Sequence, residues 1–109
     1  MFLHHAEDQD EARTAAAYGD ISFLSSAIQE YHHDCGSYPT QSEGLSALFL
    51  RPSSGKKWKG PYILKNVPKD PWGNRYVYLV SAGKFLIKSY GADGTPGGDG
   101  ENADITSDD

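Results

Sequence analysis

Ser89-Tyr90-Gly91-Ala92-Asp93-Gly94-Thr95-Pro96-Gly97-Gly98-Asp99-Gly100-Glu101-Asn102-Ala103-Asp104-Ile105 is a stretch with almost no apolar side chain to bury, so something other than hydrophobic packing must hold it. Five of its residues are Gly and four are acidic, and no Lys or Arg follows Lys88. Glycine is the costliest residue to order, and uncompensated carboxylates repel one another. Closely spaced Asp side chains, with glycines that let carbonyls turn inward, suit a hard cation such as Ca²⁺, which takes about six to eight oxygens. The expectation is a calcium-held C-terminal loop, and the competing reading is a solvated acidic tail. Ile105 at the far end supplies an apolar anchor that a tail would not need.

The spacing excludes familiar calcium motifs. An EF-hand loop starting at Asp93 would place Thr95 and Gly97 where ligands are required. Gly97-Gly98-Asp99-Gly100-Glu101-Asn102-Ala103-Asp104-Ile105 approaches the nonapeptide of calcium-binding β-rolls, but those need stacked copies and this chain has one.

The 109 residues fit one domain with a modest core. The net charge of −5 is uneven, for residues 93–109 carry six acids and no base while the remainder has nine acids against ten bases. This balance argues against a nucleic-acid partner, which needs a basic face. Cys35 is the only cysteine, so no intrachain disulfide or Cys-based zinc site can form. His32 and His33 lie close to it in sequence, yet nothing orients them as the base of a catalytic thiol. No apolar run approaches the ~20 residues of a membrane span and no signal peptide is visible.

Upstream of the loop, Arg75-Tyr-Val-Tyr-Leu-Val80 and Lys84-Phe-Leu-Ile-Lys-Ser-Tyr90 read as two strands joined through Ser81-Ala-Gly83, with one face on a long helix. Val67-Pro-Lys-Asp-Pro-Trp-Gly-Asn74 is a rigid loop, because its prolines allow neither helix nor central strand. Pro61-Tyr-Ile-Leu64 reads as a short strand. Ser53–Gly60, with three Lys around Trp58, is a basic loop with an anchoring aromatic, open to an anion or a partner. Thr40 and Glu43 form a capping box ahead of Leu45, Leu48 and Phe49, predicting a second, short helix.

Before the turn at Asp34-Cys-Gly-Ser-Tyr-Pro-Thr40, Ala17, Ile21, Leu24, Ile28 and Tyr31 recur at helical spacing, widened by Phe23 and Ala27. This predicts a helix from about Asp10 to Asp34, roughly 36 Å long, preceded by a frayed leader over Met1–Gln9 in which His4-His5 is weak evidence for a metal. A rod of that length covers a whole sheet or projects beyond it.

The order and spacing of these elements resemble the major pseudopilins of the bacterial type II secretion system, in the type IV pilin-like superfamily. The resemblance runs from about Tyr18 to Ile105. Its carriers are Tyr31 with Asp34-Cys-Gly-Ser-Tyr-Pro-Thr40, Glu43-Gly-Leu45, Gly60-Pro-Tyr62, Val67-Pro-Lys-Asp-Pro-Trp-Gly73, Tyr76, Tyr78, Ser89-Tyr-Gly-Ala-Asp-Gly94, Gly97-Gly98 and Ala103-Asp-Ile105. It implies an α+β pilin-like fold: a long N-terminal α-helix packed on a small antiparallel sheet, a short second helix and a Ca²⁺-bound C-terminal loop. It also implies a structural protein and not an enzyme. Its members are processed and N-methylated by a prepilin peptidase. They sit in the inner membrane of Gram-negative bacteria with the globular part in the periplasm, and self-assemble into a helical pseudopilus that drives export of folded proteins. Minor pseudopilins and the inner-membrane secretion platform are the further implied partners.

Carried onto this sequence, the resemblance makes Asp93 and Asp104 the side-chain ligands of Ca²⁺. Ser89 and Tyr90 become backbone donors, and Asp99 with Glu101 lie in a variable stretch. The sequence departs from the family in two places. The apolar membrane half of the helix is absent, which predicts a truncated soluble piece, and Thr106-Ser-Asp-Asp109 stands where the family usually places a Trp. The rival reading is a calcium-dependent adhesion or ligand-binding module. A true type IV pilin is disfavoured because those generally close with a disulfide.

Overall fold

The computed structural model describes residues 2–107, with residues 2–8 and Glu101 described by their backbone alone. The expectations for His4 and His5 therefore lie outside the described side chains. Helix α1 runs Phe2–Cys35, so the helix begins far earlier than the expected Asp10. The physical reason is local: no proline or glycine interrupts residues 2–18, and the alanines at 12 and 15–17 favour helix. Its end is as read, with Gly36 at φ 81° and its N–H bonded to the His32 carbonyl at 2.8 Å.

The stripe Ala17, Ile21, Leu24, Ala27, Ile28 and Tyr31 is buried. Phe23 is not part of it, being 54% exposed; its position falls on the helix flank, away from the sheet. The sheet is antiparallel with order β1-β2-β3, where β1 is Val77–Ser81, β2 is Lys84–Ser89 and β3 is Ile105–Thr106. Both hairpin strands were thus placed to within two residues. Their register pairs Ser81 with Lys84, leaving a two-residue turn in which Ala82 and Gly83 both have positive φ, as a tight right-twisted hairpin requires. Helix α1 packs on β2, on β3 and on a 3-10 turn at Gly44–Leu48. Ile87 of β2 is fully buried beneath it.

The expected second helix is that 3-10 turn, five residues long. The capping box exists, since Thr40 N–H donates to Glu43 Oε1 at 2.9 Å and Glu43 N–H to Thr40 Oγ1 at 3.2 Å. Gly44, at φ 64°, leaves the helical region immediately afterwards, so the box closes a turn and not an α-helix. Pro61–Leu64 is likewise not a strand. Its backbone is tied to the Leu48 carbonyl by Tyr62 N–H at 2.7 Å, and among the described residues no strand pairs with it. The outer edge of β1 is instead covered by the Gln41 side chain, which donates to the Tyr78 carbonyl at 2.6 Å and accepts from Val80 N–H at 3.0 Å.

The proline-rich loop is organised by Asp70, a buried acid that the sequence reading did not single out. Its Oδ1 accepts from the N–H groups of Trp72 (3.0 Å) and Asn74 (2.8 Å), and its Oδ2 accepts from the hydroxyl of Ser89 (2.7 Å). Ser89 Oγ in turn accepts from Gly91 N–H at 3.1 Å. A turn of one segment and the end of β2 are thereby joined through one carboxyl group.

Two predictions follow from this packing. Asp70→Ala leaves the buried Ser89 hydroxyl and two partly buried hydrogen bonds without their acceptor and is expected to cost about 3 kcal/mol, against about 1–2 kcal/mol for Ser89→Ala. Urea midpoints measure both, and an Asp70→Ala cost below that of Ser89→Ala would refute the assignment. The phenols behave differently. Burial raises Tyr31 and Tyr62 from their ordinary 10.0 to about 12, and burial raises Tyr76 and Tyr78 further, Tyr76 also because its hydroxyl donates to Asp20 Oδ2 at 2.7 Å. Their contribution is therefore complete below pH 10 and is lost as pH rises through 10 toward 12, where the unfolded chain ionises first. Ultraviolet titration of phenolate alongside circular dichroism should show these four ionising only with unfolding; early ionisation of all four would contradict it.

Candidate metal centre

The Gly-rich segment leaves the sheet at Ser89 and re-enters it at Ile105, where β2 and β3 pair Ser89 with Ile105 and Lys88 with Thr106. The return expected of Ile105 is real: the residue is buried, and it sits on a strand. Beyond Ile105, Ser107 N–H donates to the Ile87 carbonyl at 2.8 Å and its Oγ accepts from Ile87 N–H at 3.0 Å.

Within the loop the glycines are required by conformation. Gly94, Gly97, Gly98 and Gly100 all have positive φ. At Gly98 a Cβ would also stand 2.6 Å from the Asn102 carbonyl oxygen, too close for any other residue. Asp104 spans the loop, with both carboxylate oxygens accepting from Gly97 N–H at 3.0 and 3.1 Å. Asp93 Oδ1 accepts from Thr95 N–H at 3.2 Å, an Asx turn. Ser89 is fully buried and its hydroxyl belongs to Asp70, so only its backbone oxygen is left as the donor expected of it. Tyr90 is half-buried, with Lys88 Nζ 5.6 Å from its ring centre. Asp99 is exposed and precedes the short 3-10 turn Gly100–Asn102.

Among the described residues no three His, Cys, Asp or Glu side chains gather into a metal cluster. A site here would therefore draw on Asp93, Asp104 and backbone carbonyls. The donor chemistry fits a hard cation, being oxygen throughout, and each Asp104 oxygen keeps lone-pair capacity beyond its one N–H bond. Among the described residues, none of Asp93, Asp99 and Asp104 has a Lys or Arg partner.

The other candidate chemistry is absent in kind. Burial, with Asp34 beside it, raises the Cys35 thiol, the reverse of what an activated nucleophile needs. The His32 ring lies 4.4 Å from that of Tyr38 in a packing contact. Among the described residues, no helix is long and apolar enough to cross a membrane.

Comparison with known proteins identifies the family. The family model for type II secretion system protein G matches residues 4–108. The type II secretion system core protein G of Pseudomonas aeruginosa is 41% identical over 101 residues, covering 88% of this chain and 71% of the relative. That of Vibrio cholerae is 41% identical over 103 residues, covering 90% and 70%. The crystal structure of the major pseudopilin from the type 2 secretion system of enterohaemorrhagic Escherichia coli superposes with a TM-score of 0.72 at 30% identity, covering 92% of this chain and 90% of that one. These are structural components of a secretion machine and not an enzyme family, and this chain belongs to them: it is a member of the type II secretion system protein G family, the major pseudopilins.

Proposed function

We propose that the chain is the building block of a periplasmic pseudopilus, polymerising to drive export of folded proteins across the outer membrane, and that Ca²⁺ stabilises its C-terminal loop. Family membership supports the polymer. The observation that carries the ion is the pair of loop carboxylates, Asp93 and Asp104, held where no cationic side chain offsets them. Asp93 and Asp104 would supply the charged oxygens, with the carbonyls of Ser89 and Tyr90 as neutral ones and Asp99 at the edge. A bound divalent cation neutralises the two acids and fixes the segment between β2 and β3, which is otherwise costly to order. The precursor is then the substrate of a prepilin peptidase, anchored in the inner membrane, and its partners are minor pseudopilins and the inner-membrane platform. The calcium-dependent adhesion reading has no observation of its own in its favour.

Thermal unfolding in millimolar Ca²⁺ and in excess chelator tests the ion. Binding only to the folded state at about 100 times Kd adds about 2.7 kcal/mol, so the midpoint should rise by several degrees. Identical midpoints would sink the calcium reading. Calorimetric titration should further show Asp93→Ala weakening binding more than Asp99→Ala, with the reverse order refuting the ligand assignment.

A further inference from the structure

The charges of this chain are sorted along its length. Residues 44–69 contain six Lys and Arg and no acid, whereas residues 89–109 contain six acids and no base. The fold carries the Lys56, Lys57 and Lys59 loop and the acidic loop toward opposite ends of the packed part of α1, while Lys69, bridged to Arg75, stays beside Asp70 at the acidic end. The lysine loop is fastened at the C-terminal end: Tyr62 OH donates to Asp34 Oδ2 at 2.7 Å and accepts from Lys59 N–H at 2.9 Å. The Trp58 and Tyr62 rings meet edge to face at 5.7 Å, those of Tyr62 and Tyr31 at 5.9 Å, and Trp58 Nε1 donates to the Ala47 carbonyl at 2.7 Å. Lys56, Lys57 and Lys59 are exposed on this anchored loop, and Leu50, 61% exposed, precedes it.

The acidic loop springs from the other end. Strand β2 starts beside Tyr38, whose ring lies 5.0 Å from Phe85 and 4.4 Å from His32, and it finishes at Ser89, joined to Asp70. At that end Tyr76 reaches Asp20, and Gly94 lies against Asn74. Asp20 and Asp34 are fourteen residues apart on one helix, about 21 Å along its axis. An exposed lysine loop and an exposed acidic loop are thus set about one packed helix length apart on the same fold.

We infer that in the polymer the lysine loop of one copy docks on the acidic C-terminal loop of a second copy, displaced along the helix axis. The inference rests on the polymerisation reading above and names its contact. A face that complements a different face on the same molecule is heterologous, and where its rotation does not close into a ring such contacts repeat into a fibre. A single exposed ion pair contributes little, but every copy inside the fibre makes the contact twice, once with each face. Any cation bound by Asp93 and Asp104 lowers the acidic charge without exhausting it, since Asp99 remains exposed.

Carbodiimide treatment of filaments formed by the full-length gene product, with peptide mapping by mass spectrometry, tests this directly because the reagent joins a lysine to a carboxyl group in contact. The expected product is an amide between Lys56, Lys57 or Lys59 and the peptide carrying Asp93, Asp99 or Asp104, found in filaments and missing from dispersed monomer. Filaments whose crosslinks omit that pair would overturn the inference and leave polymerisation standing, whereas failure of the product to form filaments takes both down. The variant Lys56→Glu/Lys57→Glu/Lys59→Glu should fold, shown by an unchanged thermal midpoint and Ca²⁺ response, and lose its filaments. A folded variant that polymerises like the parent refutes the contact.

Discussion

A carboxyl group out of reach of water needs donors on every side, and Asp70 is that group here. It draws two backbone N–H groups from its own turn and a hydroxyl from the last residue of β2. Because the three donors share one carboxyl group, losing it strands all of them at once. The Gly-rich loop therefore starts from a fixed point. Ser89 is where the strand ends, where the turn is tied and where the acidic segment begins, and Gly91 N–H on the same hydroxyl sets the first bend. From there Asp93 and Asp104 can be presented at the two ends of a loop whose interior has nothing to pack.

Much of this was readable in the sequence, for a physical reason: periodic patterns report local geometry. The stripe from Ala17 to Tyr31 fixed which helix face is buried, and alternation with Gly83 placed the hairpin. The same kind of reading misplaced Phe23, since an apolar residue on the flank of a stripe carries no information about whether the sheet extends that far. Thr40 and Glu43 were correctly paired, but the residue after them decided the outcome, and Gly44 turned a helix start into a 3-10 turn. Pro61–Leu64 had strand-like composition without a partner, and strands exist only in pairs.

Asp70 escaped because its contact with Ser89 spans nineteen residues and depends on where two loops meet. A local signal was available: Asp followed by Pro and then Trp-Gly-Asn is a turn whose first side chain commonly caps the N–H groups that follow. The loop acids were visible for the opposite reason, since a run of carboxylates with no base is a statement about composition alone. Their geometry was not. That Asp104 closes onto Gly97, and that Ser107 completes the sheet by exchanging hydrogen bonds with Ile87, needed coordinates.

The first half of α1 bears on what such a subunit is for. Among the described residues the core begins at Ala17, and Gln9–Ala16 are exposed or half-exposed. Gln9–Ala16, about 12 Å of helix, thus carry no buried stripe against this chain. Helix propensity alone stabilises such a segment weakly in water. Projection of a helix from a body whose two loops carry opposite charge separates the tasks of assembly. In the polymer proposed above, the helix would supply length along an axis, and the lysine and acidic loops would limit how far one body slides past the next before like charges face each other. A subunit built this way encodes direction and spacing in a fold whose core is no larger than one helix face against three short strands.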